Sequence, residues 1–228
     1  MKHILELAIQ YKSYLILGTK ITIIVSFAAI ILGFFMGLWL AIIRVGDNKP
    51  LRWLANVYVE FIRGTPVLVQ IAMVYYGLPL AGIHFPDIMV FDVKMNRLSC
   101  GIIALALNSA AYICEIIRGG ILSIDKGQTE AALSLGFTKF NIMRLFILPH
   151  ALKNMLPSLG NEFVVMIKTS SQVSVMGLAD LMYVADLIRG NSFQAFTPLV
   201  IIAVIYLIIT TGMSMVMRKL ESMLRAVG

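Results

Sequence analysis

Long apolar runs separated by short basic stretches set the pattern of the chain. A helix needs about 20 mostly apolar residues to cross the hydrocarbon of a bilayer. Stretches at 15–43, 54–78, 98–117, 155–178 and 196–217 meet that requirement. The first is long enough to tilt. The fourth is the least apolar, because it holds Glu162, Lys168 and the run KTSSQVS. This pattern predicts an all-α membrane protein with five transmembrane helices in a single domain, 1–228. No internal repeat or low-complexity region is visible. Between the second and third spans, GLPLAGIHFPDIMVFDVKMN is punctuated by Pro and Gly, which predicts a short lid or re-entrant piece. The first span reads as retained rather than cleaved, since it is longer than a leader's apolar core and ends in Arg44.

Charge orients the spans. Arg44, Lys49 and Arg52 follow the first span. Lys126, Lys139, Arg144 and Lys153 lie in the stretch 119–154, and Arg218, Lys219 and Arg225 in the C-terminal tail. The opposite side has fewer, namely Lys2, Lys12, Lys94, Arg97 and Arg189. Basic residues concentrate on the cytosolic side, so the N-terminus is expected outside and the C-terminus in the cytosol. Lys20, alone among apolar neighbours, is expected to snorkel to the outer surface.

Composition agrees with a membrane protein. The chain is 59% hydrophobic and 14% charged, with mean hydropathy +0.88, far from soluble domains. A net charge of +7 is explained by basic residues flanking spans, and nucleic-acid binding is excluded as a function class. Cys100 and Cys114 share one expected helix, about 21 Å apart, too far for a disulfide. His84 and His150 have no companions at ligand spacing, so no metal site is expected.

The stretch 119–154 contains a second kind of element. Asp125 is an expected N-cap, Gln128 could complete a capping box, and Glu130 sits where the helix dipole favours negative charge. Gly136 is placed to stop the helix. Ala131, Ala132, Leu133 and Leu135 lie between them. Such a helix is too short to stand alone in water. It serves either to cover the end of the bundle or to dock a partner, with the small alanines allowing close approach.

Glu130-Ala131-Ala132 is followed by Gly136, Phe146 and Leu148-Pro149, which resembles the EAA loop of ABC-importer permease subunits. Phe146 stands where isoleucine is usual. EFIRGTPVLVQIAMVYYGLP (60–79), SAAYICEIIRGGILSIDKGQTEAALSLGF (109–137) and ILPHALKNMLPSLGNEFVVMIKTSSQVSVMGLADL (147–181) are similar to the polar amino-acid uptake branch of these permeases. The stretch 17–44 is similar to their first span.

The resemblance implies a type I ABC importer permease fold in the bacterial inner membrane, with lipid around it. It implies a second permease copy or paralogue, ABC ATPase subunits, an extracytoplasmic solute-binding protein and an amino-acid substrate. Asp125, Glu130, Ala131, Ala132, Leu133 and Gly136 would couple to the ATPase, within a cytosolic loop at 119–154. The chain has no G-x-x-x-x-G-K-[ST] loop, so no cofactor is expected on it. ATP and Mg would bind the partner.

Ionisable residues at membrane depth are costly and become functional candidates. Glu60 and Arg63 share a helix face ahead of Gly64-Thr65-Pro66, where Pro66 kinks the helix. They form either a packing pair or part of a substrate passage with Thr65. Asn108, Tyr112 and Glu115 fall on one stripe. Glu115 either meets a solute ammonium or pairs with Arg118. In the fourth span, Glu162, Ser170 and Ser171 are candidates to line a polar path, and Lys168 is expected to pair with Glu162 or with carbonyls.

Two other function classes are weaker. An intramembrane enzyme would show a nucleophile or metal motif, and neither H-E-x-x-H nor G-x-S-x-G occurs. An ion-coupled secondary amino-acid transporter would often show paired repeats. The chain is expected to be a transport subunit and not an enzyme.

Overall fold

The computed structural model describes residues 2–226, with side chains described from 4 to 223. A short helix α1 (Lys2–Gln10) precedes α2 (Lys12–Val45). Helices α3 (Lys49–Gly64) and α4 (Val67–Leu80) follow, then a hairpin of β1 (Met89–Val90) and β2 (Val93–Lys94). After α5 (Met95–Leu122) come α6 (Lys126–Ser134), α7 (Lys139–Ile142) and a π turn (Met143–Ile147). The chain closes with α8 (Leu148–Thr169), a 3-10 turn (Ser170–Met176), α9 (Leu181–Ser192) and α10 (Thr197–Ala226).

Helices α2 and α5 form the centre of the bundle. One stripe of α2 carries Gly18, Thr22, Ser26, Ala29, Gly33, Gly37 and Ala41, all buried. Their spacing of three or four residues keeps them on one face, and small side chains let helix backbones approach within lipid. A Cβ added at Gly37 would lie 2.8 Å from the carbonyl oxygen of Ala110 on α5, so only glycine fits that crossing. Ile21, Val25, Ile30, Leu105 and Ile113 fill the seam around it. Helix α8 packs on another side of α5, and α10 packs on α8.

Among the described residues, α2, α5 and α10 are each long and apolar enough to cross a membrane, and the number is five where each of two bent helix pairs counts as one span. The expected second span is one such pair. Helices α3 and α4 meet at 111°, because Thr65 is extended and Pro66 supplies no N–H to continue the helix.

The fourth span differs from its expected limits of 155–178. Helix α8 starts at Leu148, tightens into the 3-10 turn after Thr169, and stops at Gly177, where φ is +74°. The stretch 179–195, expected as a loop, is largely α9. Asp180 caps it by accepting from the N–H groups of Met182 at 3.2 Å and Tyr183 at 3.0 Å. Leu181, Val184, Ala185 and Ile188 bury its apolar face against α2 and α10. Polar residues on its other face lowered the mean hydropathy and hid it from a span search.

The hairpin is the one departure from an all-α chain among the described residues. Its turn places Phe91 at φ 53° and Asp92 at φ 66°, the left-handed pair that a tight two-residue hairpin requires. Lys20 of α2 reaches it, with Nζ 5.1 Å from the centroid of the Phe91 ring.

Candidate functional site

The bend between α3 and α4 leaves helix-end carbonyls without helical donors. Gln70 supplies them. Its Nε2 donates to Ile62 O at 2.7 Å, to Thr65 Oγ1 at 2.8 Å and to Thr65 O at 3.1 Å. The Thr65 hydroxyl in turn donates to Phe61 O at 2.9 Å. On its other side, Gln70 Oε1 accepts from Asn108 Nδ2 at 3.0 Å. Thr65 thus serves the bend itself. Gln70 was not anticipated as a site residue. Its signal was a lone amide inside VLVQIAMVYYG, directly after the proline.

Asn108 and Tyr112 of α5 meet Glu162 of α8 around a cavity of about 170 Å³, closed by Val67, Val165, Met166 and Thr169. Glu162 is 8% exposed, and its Oε1 accepts from Ser109 Oγ at 3.3 Å. No cation pairs with this carboxylate among the described residues. Lys168, expected beside it, is exposed instead. A buried carboxylate facing a cavity without a cation is costly unless something else supplies one. A larger groove of about 520 Å³ is lined by apolar residues including Trp39, Leu54 and Phe61; its one ionisable side chain, Tyr58, donates its hydroxyl to Leu107 O at 2.7 Å, so the groove suits no polar solute.

Glu115 is not the vacant carboxylate that the stripe with Asn108 and Tyr112 suggested. Three guanidiniums hold it. Arg44 Nη1 of α2 donates to Oε1. Arg118 donates to Oε2 from Nη2 at 2.9 Å and from Nε at 3.3 Å. Arg63 Nη1 of α3 stands 3.7 Å from Oε1. Arg44 Nε also donates to Asn56 Oδ1 at 2.7 Å. Of the two expected partners, Arg118 is present, and two arginines distant in sequence join it.

Arg63 does not pair with Glu60, which is exposed on α3. Its guanidinium carbon instead lies 5.8 Å from the centroid of Tyr112, so a half-exposed cation borders the cavity's aromatic wall. Ser170 and Ser171 do not line the cavity. Their hydroxyls donate to Ile167 O at 2.8 Å and Lys168 O at 2.7 Å, stabilising their own turn.

At the far end of α5, α6 forms as the capping residues dictate, with one change. Asp125 Oδ1 accepts from Gly127 N at 2.6 Å, while Gln128 N bonds to Asp125 O at 3.2 Å. The capping box with the Gln128 side chain is therefore not formed. Gly136 takes φ +81°. Its N–H bonds to Leu133 O at 2.9 Å, and Phe137 N bonds to Ala132 O at 3.1 Å, the paired bonds that close a helix on a left-handed residue. Phe137 then meets Phe146 edge to face, with centroids 5.2 Å apart, so the unusual Phe146 braces the turn after α6.

Glu130 and Ala131 are exposed, and Leu133 and Leu135 are 48% and 77% exposed. Ala132 is buried at 3% and faces inward, which corrects its place on the docking surface. Phe140 and Leu145 are exposed nearby. Helix α6 packs against α7 and the π turn.

Comparison with known proteins matches residues 15–226 to the family described as binding-protein-dependent transport system inner membrane component. The crystal structure of an amino acid ABC transporter with histidines superposes with a TM-score of 0.84 at 42% identity, covering 94% of this chain and 95% of that one. A Rickettsia prowazekii (strain Madrid E) protein, named for glutamine transport as the permease GlnP, is 40% identical over 208 residues, 91% of each chain. The glutamine transport system permease protein GlnP of Escherichia coli (strain K12) is 37% identical over 207 residues, again 91% of each.

Proposed function

This chain belongs to the inner membrane components of binding-protein-dependent transport systems, the multi-pass permease subunits of ABC importers, and from that premise we propose that it passes a polar or charged amino acid through the cavity between α5 and α8. An extracytoplasmic binding protein delivers the solute. A second permease copy or paralogue completes the membrane unit. The N-terminus lies outside, and the basic stretch around α6 faces the cytosol.

The observation that carries this reading is the pairing of charges at the cavity. Glu162 has no cation partner among the described residues, and Arg63 stands beside Tyr112, which lines the cavity. A zwitterion supplies the complement, with its ammonium toward Glu162 and Asn108 and its carboxylate toward Arg63. The homologues named for glutamine and amino-acid transport support that solute class.

Power comes from elsewhere. ATP and Mg bind a partner ATPase subunit, which grips the exposed Glu130–Ala131–Leu133 surface. Helix α6 lies between α5 and α8 in the chain, the two helices that carry Asn108, Tyr112 and Glu162. A displacement of α6 therefore reaches both walls of the cavity. The chain itself performs transport and no hydrolysis.

Uptake of radiolabelled L-glutamine into proteoliposomes tests the reading. Uptake is expected only when the ATPase, binding protein and ATP are all present. Uptake by the chain without the ATPase would overturn it. Screening the binding protein against an amino-acid panel then identifies the solute.

A further inference from the structure

An amide has a donor end and an acceptor end, and which end faces a ligand decides what the ligand must offer. Hydrogen-bond partners settle that choice. Two buried amides, Gln70 and Asn108, stand in series between the α3–α4 bend and the cavity, each 5% exposed.

We infer that Gln70 is a positioning residue that turns the oxygen of Asn108 toward the cavity and so sets the site for a solute's ammonium group. This inference rests on the proposed transport of an amino acid.

The series starts in the backbone. In a continuous helix, Ile62 O would accept from the residue four positions later, which is Pro66 and has no N–H. Ile62 O is thereby left open, and Gln70 Nε2 occupies it at 2.7 Å. Thr65 O, at 3.1 Å from the same nitrogen, also can only accept. Two backbone carbonyls therefore fix the nitrogen end of Gln70 toward the bend. Its Oε1 must face α5, and an oxygen there can only accept. Asn108 answers with Nδ2 at 3.0 Å.

With one Nδ2–H donated to Gln70, Oδ1 lies at the opposite end of the Asn108 amide and has no described partner. Asn108 lines the same cavity as Glu162, and the inferred orientation turns its Oδ1 that way. This end of the cavity then presents two acceptors, one of them a carboxylate, to a solute. An ammonium carries three donors and no acceptor, so it matches. With Asn108 reversed, an NH2 group would oppose the ammonium and two oxygens would oppose each other at Gln70. Both contacts are repulsive. The proline that bends α3–α4 and the polarity of the solute site are linked through this one glutamine.

The test uses the permease assembled with its ATPase in detergent. The probe is tritiated L-glutamine, and the competitor is glutaramate, the same molecule without its amino group. The wild-type complex is expected to prefer L-glutamine strongly. In Gln70→Met, Asn108 is free to turn, so L-glutamine affinity should fall roughly tenfold, the scale of one charge-assisted hydrogen bond, and the preference over glutaramate should narrow. An equal weakening of both ligands, or a preference left intact, would overturn the inference, because a merely structural role moves both together. Solid-state NMR on the wild-type chain, with 15N-asparagine and 13C-glutamine, reads the orientation without solute. A short dipolar contact from Asn108 Nδ2 to Gln70 Cδ is expected, and its absence also overturns the inference. That contact together with no saturable L-glutamine binding supports the orientation and instead rejects the glutamine-type solute.

Discussion

Arg44 of α2 donates to Glu115 of α5, joining the two central helices. Arg63 and Arg118 share the same carboxylate. A single acidic residue thus neutralises part of a three-arginine cluster drawn from three helices.

Removing that carboxylate should act on the fold before it acts on solute. Glu115→Ala would leave three guanidiniums facing one another in a half-buried setting. The expected loss is about 3 kcal/mol, the scale of breaking a buried pair. Thermal unfolding of the purified chain in detergent checks this. Full stability combined with lost solute binding would return Glu115 to the role of a ligand.

Glu162→Gln should do the reverse. The carboxylate has only Ser109 as a described partner, so its loss leaves no buried cation unpaired. Assembly and thermal stability are expected to stay near wild type while ATP-driven uptake falls tenfold or more, about 1.4 kcal/mol in transition-state terms. Undiminished uptake would remove Glu162 from the solute site.

The proposed docking surface on α6 makes a direct prediction. Glu130→Arg reverses charge on the exposed face of α6. Co-purification of the ATPase should drop, or ATP hydrolysis should uncouple from uptake, with the chain inserted at normal levels. A variant that binds the ATPase and transports normally would show that α6 is not the grip.

Gly37→Val should separate α2 from α5. A Cβ there already meets Ala110 O at 2.8 Å and Ile113 side-chain carbons at 2.9 Å. Overpacking of this kind costs about 1–3 kcal/mol, read as a lowered unfolding temperature in detergent. No change would mean that the central seam opens readily.

Hydropathy and the caps around Asp125 and Gly136 sufficed for the helical membrane fold class and for the position of α6 along the chain. These features depend on periodicity and on local caps, and both are written in contiguous residues. Asn108, Tyr112 and Glu162 were legible as intramembrane polar residues for the same reason, since such residues are rare in lipid. Pro66 also marked the break between α3 and α4.

Their partners were not legible. Arg44 and Glu115 are 71 positions apart, and Gln70 and Asn108 are 38 apart. No helical offset links such pairs. Only the crossing of α2, α3 and α5 decided that Glu115 is saturated by arginines while Glu162 is left facing a cavity. The angle of 111° at Pro66 likewise depends on Gln70 satisfying the freed carbonyl, a bond between side chain and backbone that exists only once the chain has turned. Sequence named the groups that lipid makes expensive, and tertiary packing determined which of them, like Glu115, were compensated by charged partners and which, like Glu162, were not.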